Sequence, residues 1–399
     1  MAPALIFALY FFSRLANLQA LPIFNDEAFF IWVGRQVASN PTQNLFLNFT
    51  DGKEPLFFWL FALPQALPLD GLLAGRLFSV VLGAAALFFL YRLGGFWAAL
   101  VFVLSPFLLL TQQLAVQENL LILLLVLALY FQKKWWFGIF AALAMFTKTT
   151  AVLYLLPLVN RKNLLAALLA TLLYLPIVAT SVFTHNAAYA GLGADFWTNL
   201  KQAGRWLVEY QGWPFVLLAF FAPMILRSPK GWLWWILGFG PIVAEALVAK
   251  IFFPRYFVFS IVPLALLAGT VIKKYRLALL VLLPNLLLSW QIVSDVRNAP
   301  VPTIERWQYI ESWPAGYGIK EAAQFLKQQQ AQKVIVEDIM VTKYGLPYYY
   351  PQAEYKINGV GDWYVFARQQ DPPIDPALVL KFSYSKPAGR EKITVYQKI

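Results

Sequence analysis

Residues 4–35 read ALIFALYFFSRLANLQALPIFNDEAFFIWVGR: an apolar segment of membrane-spanning length, Ala4 to Leu21, is followed by two adjacent carboxylates, Asp26 and Glu27. The rest of the 399-residue chain has the same character, because 60% of it is hydrophobic, 17% aromatic and only 13% charged. This composition is typical of a membrane protein, in which acidic side chains are costly to place and usually functional. An Asp-Glu pair is also a common helix start, so a capping role stays open.

Apolar runs alternate with short polar loops as far as residue 294, and the tail that follows carries 24 charged residues among 105. The sequence therefore predicts a polytopic α-helical transmembrane module over residues 1–294, with outer loops near 22–71 and 183–212, and a small extracytoplasmic α/β domain over residues 295–399. In the membrane module we expect eleven helices, near 4–21, 72–91, 95–111, 119–131, 135–160 (two), 164–182, 213–226, 231–248, 256–272 and 277–293. In the tail we expect a helix at 319–330 and strands at 333–339, 354–360, 363–367, 378–384 and 392–397.

The net charge of +12 does not indicate nucleic acid, because the basic residues are not gathered into one patch. They form short clusters between apolar runs: Arg92, Lys133-Lys134, Arg161-Lys162, Arg227 with Lys230, and Lys273-Lys274 with Arg276. By the positive-inside rule these loops face the cytoplasm. Most of the acids then fall in the alternate, outer loops, and an odd number of helices puts the C-terminal domain outside. We expect a multi-pass protein of the cytoplasmic membrane whose surroundings are the lipid bilayer.

The stretch from Trp135 to Asn160 lies between two of these basic clusters, so it must cross an even number of times. At about 26 residues it holds two helices of ~13, each too short to span a core of about 30 Å. Their turn would hold Lys148 below the outer surface, in a hairpin that is tolerated only when buried in protein or lining a cavity. A single tilted helix is the alternative.

Further charged features fall on the predicted outer side: Lys53 in DGKEP, Glu118 at a helix start, Lys148, and Arg255 with Tyr256 in FPRY. Each has a plain structural interpretation as a polar turn, a helix cap or a snorkelling side chain. Together with Asp26 and Glu27 they place acids and bases on one side of the membrane, as a site with a general base for a hydroxyl and cations for a phosphate requires. There is no cysteine and only one histidine, so we expect neither a metal nor a bound cofactor.

Several runs resemble the GT-C superfamily of integral-membrane glycosyltransferases, in the branch of protein O-mannosyltransferases and the lipid A aminoarabinose transferase. They are FNDEAFFIWVGR (24–35), KEPLFFWL (53–60), GRLFSVVLG (75–83), MFTKTT (145–150) and FPRYFVFSIVPL (253–264). SWPAGYGIKEAAQFL (312–326) is similar to a segment at the start of the outer domain of bacterial relatives.

The resemblance implies that a sugar moves, with inversion and without a nucleotide, from a polyprenyl-phosphate carrier to an acceptor hydroxyl. It implies that Asp26 is the general base and that Glu27 orients the loop or helps to hold the acceptor. Lys53 would bind the carrier phosphate, with Lys148 and Arg255 as further contacts, and Glu118 stands where relatives often have a second acid.

The chain also departs from this pattern. Aminoarabinose transferases usually place an arginine two positions after the Asp-Glu pair, where this chain has Phe29, and a proline where this chain has Glu54. The substrate of that subfamily is therefore not carried over. The acceptor stays open among a protein, a lipid and a glycan. A flippase or transporter of a lipid-linked sugar is the alternative function, although transporters more often keep their charges near the midplane within internal repeats.

Overall fold

The computed structural model describes residues 2–188, 190–191, 195–368, 375–387 and 391–399. Within these ranges the first 295 residues fold almost entirely into helices. The α-helices are α1 Ala2–Leu15, α2 Asn25–Ser39, α3 Pro41–Asn44, α4 Leu56–Gln65, α5 Gly71–Leu104, α6 Pro106–Gln112, α7 Glu118–Tyr130, α8 Trp136–Thr147, α9 Ala151–Leu155, α10 Leu164–Val178, α11 Ser181–Ala188, α12 Phe196–Gln211, α13 Trp213–Leu226, α14 Pro229–Val248, α15 Ile261–Lys274 and α16 Leu283–Asp295. Short 3-10 helices occupy Leu47–Asp51, Leu156–Leu158, Pro254–Ser260 and Arg276–Leu282.

The described chain has four helical segments long and apolar enough to cross a bilayer, or six if each of two sharply bent pairs counts as one span. The four are Gly71–Leu104, Pro229–Val248, Pro254–Lys274 and Arg276–Asp295; the bent pairs are α10 with α11 and α12 with α13. Four shorter apolar helices accompany them, at Pro3–Leu15, Leu56–Gln65, Glu118–Tyr130 and Trp136–Thr147. The protein is a multi-pass membrane protein, as expected, whereas the count of eleven helices stays a prediction.

The first helix differs from its expected bounds, because it ends at Leu15 and not at Leu21. Asn17 adopts a left-handed conformation with φ of 55°, which breaks the helix. Farther along, one helical segment covers Gly71–Leu104, where two helices were expected, but Gly95 interrupts it with φ of 73°. A residue with a Cβ is strained at that angle, so the glycine permits the break.

Lys148 lies between α8 and α9, in an extended conformation with φ of −163° and ψ of 126°. A single continuous helix over 135–160 would have required helical angles here, so that alternative is wrong. The re-entrant hairpin itself stays a prediction. The expected outer loops also contain regular structure: α2, α3 and α4 fall within 22–71, α12 falls within 183–212, and α11 overlaps the start of that range.

The C-terminal part is a small α/β unit, as predicted. It contains helices α17 Thr303–Arg306, α18 Ile319–Gln328, α19 Met340–Lys343 and α20 Gly345–Tyr349, and strands β1 Lys333–Val336, β2 Glu354–Lys356, β3 Trp363–Phe366, β4 Leu378–Ser385 and β5 Lys392–Lys398. The strand order is β2-β1-β3-β5-β4, with β1 parallel to β2 and β3, and β5 antiparallel to β3 and β4.

Buried apolar side chains form two clusters, one with residues between Ile6 and Tyr317 and the other with residues between Ile319 and Val395. Residues 301–317 therefore pack with the helical part, although they follow the expected domain boundary at 294. The division of the chain at that boundary stays a prediction. The packing matters for the site, because it brings this segment against the start of α2.

Candidate functional site

Glu27 lies in the first turn of α2, where it is fully buried and accepts four hydrogen bonds. Its Oε2 accepts from the backbone N–H of Phe24 at 3.1 Å, which is the reciprocal bond of a capping box. Its Oε1 accepts from the N–H of Ala115 at 2.8 Å, and both oxygens accept from Arg76, at 2.9 and 2.7 Å. Glu27 therefore caps the start of α2, which is the structural role that the sequence left open for it.

Arg76, on α5, is the partner that holds this region together. Its exposed fraction is 1%, and besides Glu27 it donates to three carbonyl oxygens of the loop before α2, those of Leu18, Leu21 and Pro22. These five hydrogen bonds equal the five N–H donors of a guanidinium. The loop is thereby fixed with its carbonyl groups turned towards Arg76, which is why α1 does not continue to Leu21.

Asp26 has a different environment from its neighbour. Its Oδ2 accepts from Arg255 Nη1 at 2.7 Å, and the two side chains are 13% and 17% exposed. Its Oδ1 accepts a longer bond of 3.3 Å from the side-chain amide of Asn25. Burial by itself raises the pKa of Asp26, but the positive charges of Arg255 and Lys53 outweigh it and hold the pKa below its usual value. Asp26 is therefore ionised at neutral pH.

Lys53 follows the tight turn at Gly52 and forms an ion pair with Asp51, with 2.6 Å between Nζ and Oδ2. Gly52 adopts φ of 62°, and a Cβ there would overlap the His185 ring, so the turn requires glycine. The Lys53 ammonium lies 5.6 Å from the centre of the Phe30 ring. Burial lowers the pKa of Lys53, but the negative charges of Asp26 and Asp51 raise it above its usual value, so Lys53 keeps its charge.

Lys148 and Glu118 form a third ion pair, with 2.8 Å between Nζ and Oε1. Glu118 is the first residue of α7, and the Lys148 ammonium also lies over the ring of Tyr256, 4.7 Å from its centre. Tyr256 follows Arg255 directly, so this pair adjoins the Asp26–Arg255 pair. The structure thus brings together Asp26, Lys53, Glu118, Lys148, Arg255 and Tyr256 of the residues singled out in the sequence. The carboxylate of the remaining one, Glu27, is bound to Arg76 instead.

Glu54 joins two parts of the site and was not predicted to do so. Its buried Oε1 accepts from the backbone N–H of Thr149 at 2.7 Å, from the Thr149 hydroxyl group, and from the side-chain amide of Asn186 at 3.2 Å. Burial raises the pKa of Glu54 above its usual value, against the opposing effect of the Thr149 hydrogen bond. Because Glu54 follows Lys53 and Thr149 follows Lys148, this contact fixes the spacing of the two lysines. The position of Glu54 directly after Lys53 was the one feature of the sequence that could have pointed to this role.

Glu305 is a second residue that sequence reasoning missed. It lies on α17, is 2% exposed, and its Oε2 has no hydrogen-bond partner among the described residues. Burial raises its pKa to about 7, although the neighbouring Tyr210 hydroxyl and the Arg255 charge oppose that change. No motif marked it, because the tail was assigned to a separate domain.

The cluster combines three cations, each held by a carboxylate, and two of these carboxylates, Asp26 and Asp51, are partly accessible. Such a set of cations can bind a phosphate by exchanging their carboxylate partners for phosphate oxygens. A carboxylate released in this way can accept a proton from a hydroxyl group.

No protein-family model and no curated protein sequence matches the chain. Its structure, however, is similar to the crystal structure of ArnT from Cupriavidus metallidurans in the apo state, with a TM-score of 0.60 and 12% sequence identity. The alignment covers 99% of this chain and 97% of that chain. ArnT is a lipid A aminoarabinose transferase of the GT-C family. The fold that the resemblance of the sequence motifs predicts is therefore confirmed.

Proposed function

We propose that the chain is a membrane glycosyltransferase that moves a sugar from a polyprenyl-phosphate carrier to an acceptor hydroxyl group on the extracytoplasmic face. The observation that carries this proposal is the contact of Asp26 with Arg255, with Lys53 and Lys148 in the same cluster. It joins a candidate base to candidate phosphate ligands. The similarity of the fold to that of ArnT supports the same reaction class.

In the proposed reaction the acceptor oxygen attacks the anomeric carbon from the side opposite the phosphate. The new C–O bond forms as the bond from the anomeric carbon to the phosphate oxygen breaks, which inverts the configuration. Asp26 takes the proton of the acceptor hydroxyl group, and the electron pair of the broken bond leaves with the polyprenyl phosphate. Cations placed at the departing phosphate stabilise the charge that develops there.

The remaining residues divide into two roles. Lys53, Lys148, Arg255 and the adjacent Tyr256 form the proposed phosphate site, and these three cations supply the positive charge without a metal ion. Glu118 holds Lys148, and Glu27 holds the start of α2, so we assign both to positioning the reacting groups.

Because Asp26 and Arg255 form an ion pair, binding of the polyprenyl-phosphate sugar would also change the basicity of Asp26. Arg255 keeps Asp26 ionised but also makes it a weak base. A carrier phosphate that takes over the Arg255 guanidinium would free the Asp26 carboxylate and raise its basicity. Donor binding would thus prepare the base for the acceptor.

The test uses the purified protein in lipid nanodiscs with a synthetic polyprenyl-phosphate hexose or pentose and a membrane extract as the source of acceptors. We expect the wild type to release free polyprenyl phosphate and to label an acceptor, and Asp26→Asn to lower that rate by roughly 10²–10⁴-fold. The control is Asp195→Asn, which removes an exposed acid. Near-full activity of the Asp26 variant would refute the assignment of the base.

The same assay separates a transferase from a flippase or transporter. A flippase moves the intact donor across the bilayer and releases no polyprenyl phosphate. If donor translocation were observed with no product bond, the proposed reaction would be wrong even though the phosphate site bound its ligand. Mass spectrometry of the lipid fraction distinguishes the two outcomes.

A further inference from the structure

Asn25, the residue before Asp26, is held on three sides. Its backbone N–H donates to the carbonyl oxygen of Pro314 at 2.9 Å, and its side-chain oxygen accepts from the N–H of Val341 at 3.1 Å. Its side-chain nitrogen donates to Asp26 Oδ1 at 3.3 Å. Two of these contacts come from the C-terminal part of the chain, and the third reaches the carboxylate that we propose as the base.

The segment around Pro314 also presses closely on the loop that leads into α2. A Cβ at Gly316 would overlap the carbonyl oxygen of Ile23, so only glycine allows this approach. The ring of Tyr309 packs edge-on against Phe24, with 4.9 Å between the ring centres. Residues 23–25 are therefore shaped by the C-terminal part at three consecutive positions.

A second set of contacts docks the C-terminal part on α2 and on Asp70, the residue before α5, without touching Asp26. The Tyr348 hydroxyl donates to Asp70 Oδ2 at 2.6 Å, and the Tyr348 ring lies under the Arg35 guanidinium. Tyr344 packs on Trp32, with 4.6 Å between the ring centres. The contacts of Tyr344 and Tyr348 thus only join the C-terminal part to the helical part. The contacts of Asn25 also reach the Asp26 carboxylate.

We propose that the C-terminal domain positions the general base, with Asn25 as the positioning residue that connects Pro314 and Val341 to the Asp26 carboxylate. The role of Asp26 as general base rests on the proposed function, but the hydrogen bond between Asn25 and Asp26 does not depend on it. Asn25 fixes one oxygen of Asp26 while Arg255 fixes the other, so the carboxylate keeps a defined direction when a phosphate draws Arg255 away.

The charged and titratable groups that act on Asp26 come from three other elements. They are Arg255 from the 3-10 helix Pro254–Ser260, Lys53 after the 3-10 helix Leu47–Asp51, and Tyr309 from the π-helix Trp307–Glu311. The amide of Asn25 favours the ionised form of Asp26, as both cations do. Losing the amide raises the pH at which Asp26 takes up a proton.

The experiment compares Asn25→Ala and Gly316→Ala with Tyr348→Phe, which weakens the same interface away from Asp26. Two readouts are measured against pH: kcat and KM for the donor, and the affinity for polyprenyl phosphate, which needs no transfer reaction. We expect both test variants to lower kcat about tenfold, with KM for the donor little changed. They should also move the acid limb of the rate profile and the midpoint of the binding profile to higher pH, whereas Tyr348→Phe moves neither.

A third variant, Asn25→Asp, keeps the acceptor for Val341 but loses the donor to Asp26 and adds a negative charge. It should move both midpoints farther than Asn25→Ala does. If Asn25→Ala leaves both profiles at the wild-type pH, or if Tyr348→Phe shifts them equally, the positioning role is refuted. If the binding midpoint shifts but the wild type transfers no sugar, the proposed function fails and the contact to Asp26 stands.

Discussion

The buried face and the accessible face of the start of α2 carry neighbouring carboxylates in opposite environments. Glu27 is fully buried and accepts four hydrogen bonds, two of them from Arg76. Asp26 is 13% exposed and is held by one bond from Arg255 and one long bond from Asn25. In the described chain Arg76 donates five hydrogen bonds and Arg255 donates one.

The difference separates an anchor from a reactive group. A buried ion pair whose hydrogen bonds are all made has no capacity for a new ligand, and breaking it leaves an unpaired buried charge. The Asp26–Arg255 pair is partly accessible, and Arg255 makes a single hydrogen bond among the described residues, so a phosphate can replace the carboxylate. The two adjacent acids therefore meet opposite environments because of the arginines that they contact, and these environments support the different roles proposed for them.

The largest expected effect comes from breaking the anchor. Arg76→Ala leaves Glu27 charged and buried and releases three loop carbonyl groups, so we expect the free energy of unfolding to fall by about 3–5 kcal/mol. Thermal unfolding in detergent measures this change. Arg92→Ala, an exposed arginine on the same helix α5, is the matched control. A melting temperature within a degree of the wild type would show that the buried pair is not an anchor.

Breaking the other pair should affect activity more than stability. Arg255→Ala removes a proposed phosphate ligand, and we expect the transfer rate to fall by roughly 10²–10³-fold. The loss of melting temperature should be smaller than for Arg76→Ala, because Asp26 can still contact solvent. The control Arg205→Ala removes an arginine that is 68% exposed. Equal loss of stability in the two arginine variants would contradict the distinction between the faces.

Much of the fold was predictable because it depends on local patterns. The helix at 319–330 is observed as α18, and the five strands of the tail begin at their predicted residues and differ only at their ends. The end of α1 was not predictable, since it depends on Arg76, which lies more than fifty residues away along the chain. The charged residues of the site were recognisable one by one, but their pairing was not. Asp26 and Arg255 are 229 positions apart, and only the packing of helices joins them.

Asn25 and Glu305 show what a motif search omits. Asn25 stands inside the most informative run of the chain, yet its role depends on Pro314 and Val341, which the sequence assigned to another domain. Glu305 had no neighbouring signal of any kind. Both positions become visible only when the tail is seen against the start of α2.

Glu305 extends the comparison to a carboxyl group that is buried like Glu27 but has no arginine at ion-pair distance in the described structure. The Tyr210 and Tyr309 hydroxyl groups lie beside it, and Arg255 and Glu118 act on it from farther away. Burial raises its pKa from the usual 4.5 to about 7. The stabilising, protonated form is therefore fully present below pH 4.5, and its contribution is lost as the pH rises towards 7.

Glu305→Gln tests this interpretation, because the amide stays neutral at every pH. We expect the variant to gain stability relative to the wild type between pH 4.5 and 7, by an amount on the order of 3 kcal/mol, and to show no further gain above that range. Melting temperatures of both proteins across pH 4–8 measure the difference, and Glu321→Gln on α18 is the control for a carboxyl group outside the cluster. A difference in melting temperature between the two proteins that stays constant with pH would contradict the raised pKa of Glu305. It would mean that the carboxylate of Glu305 is stabilised by a partner in the folded protein, as that of Glu27 is.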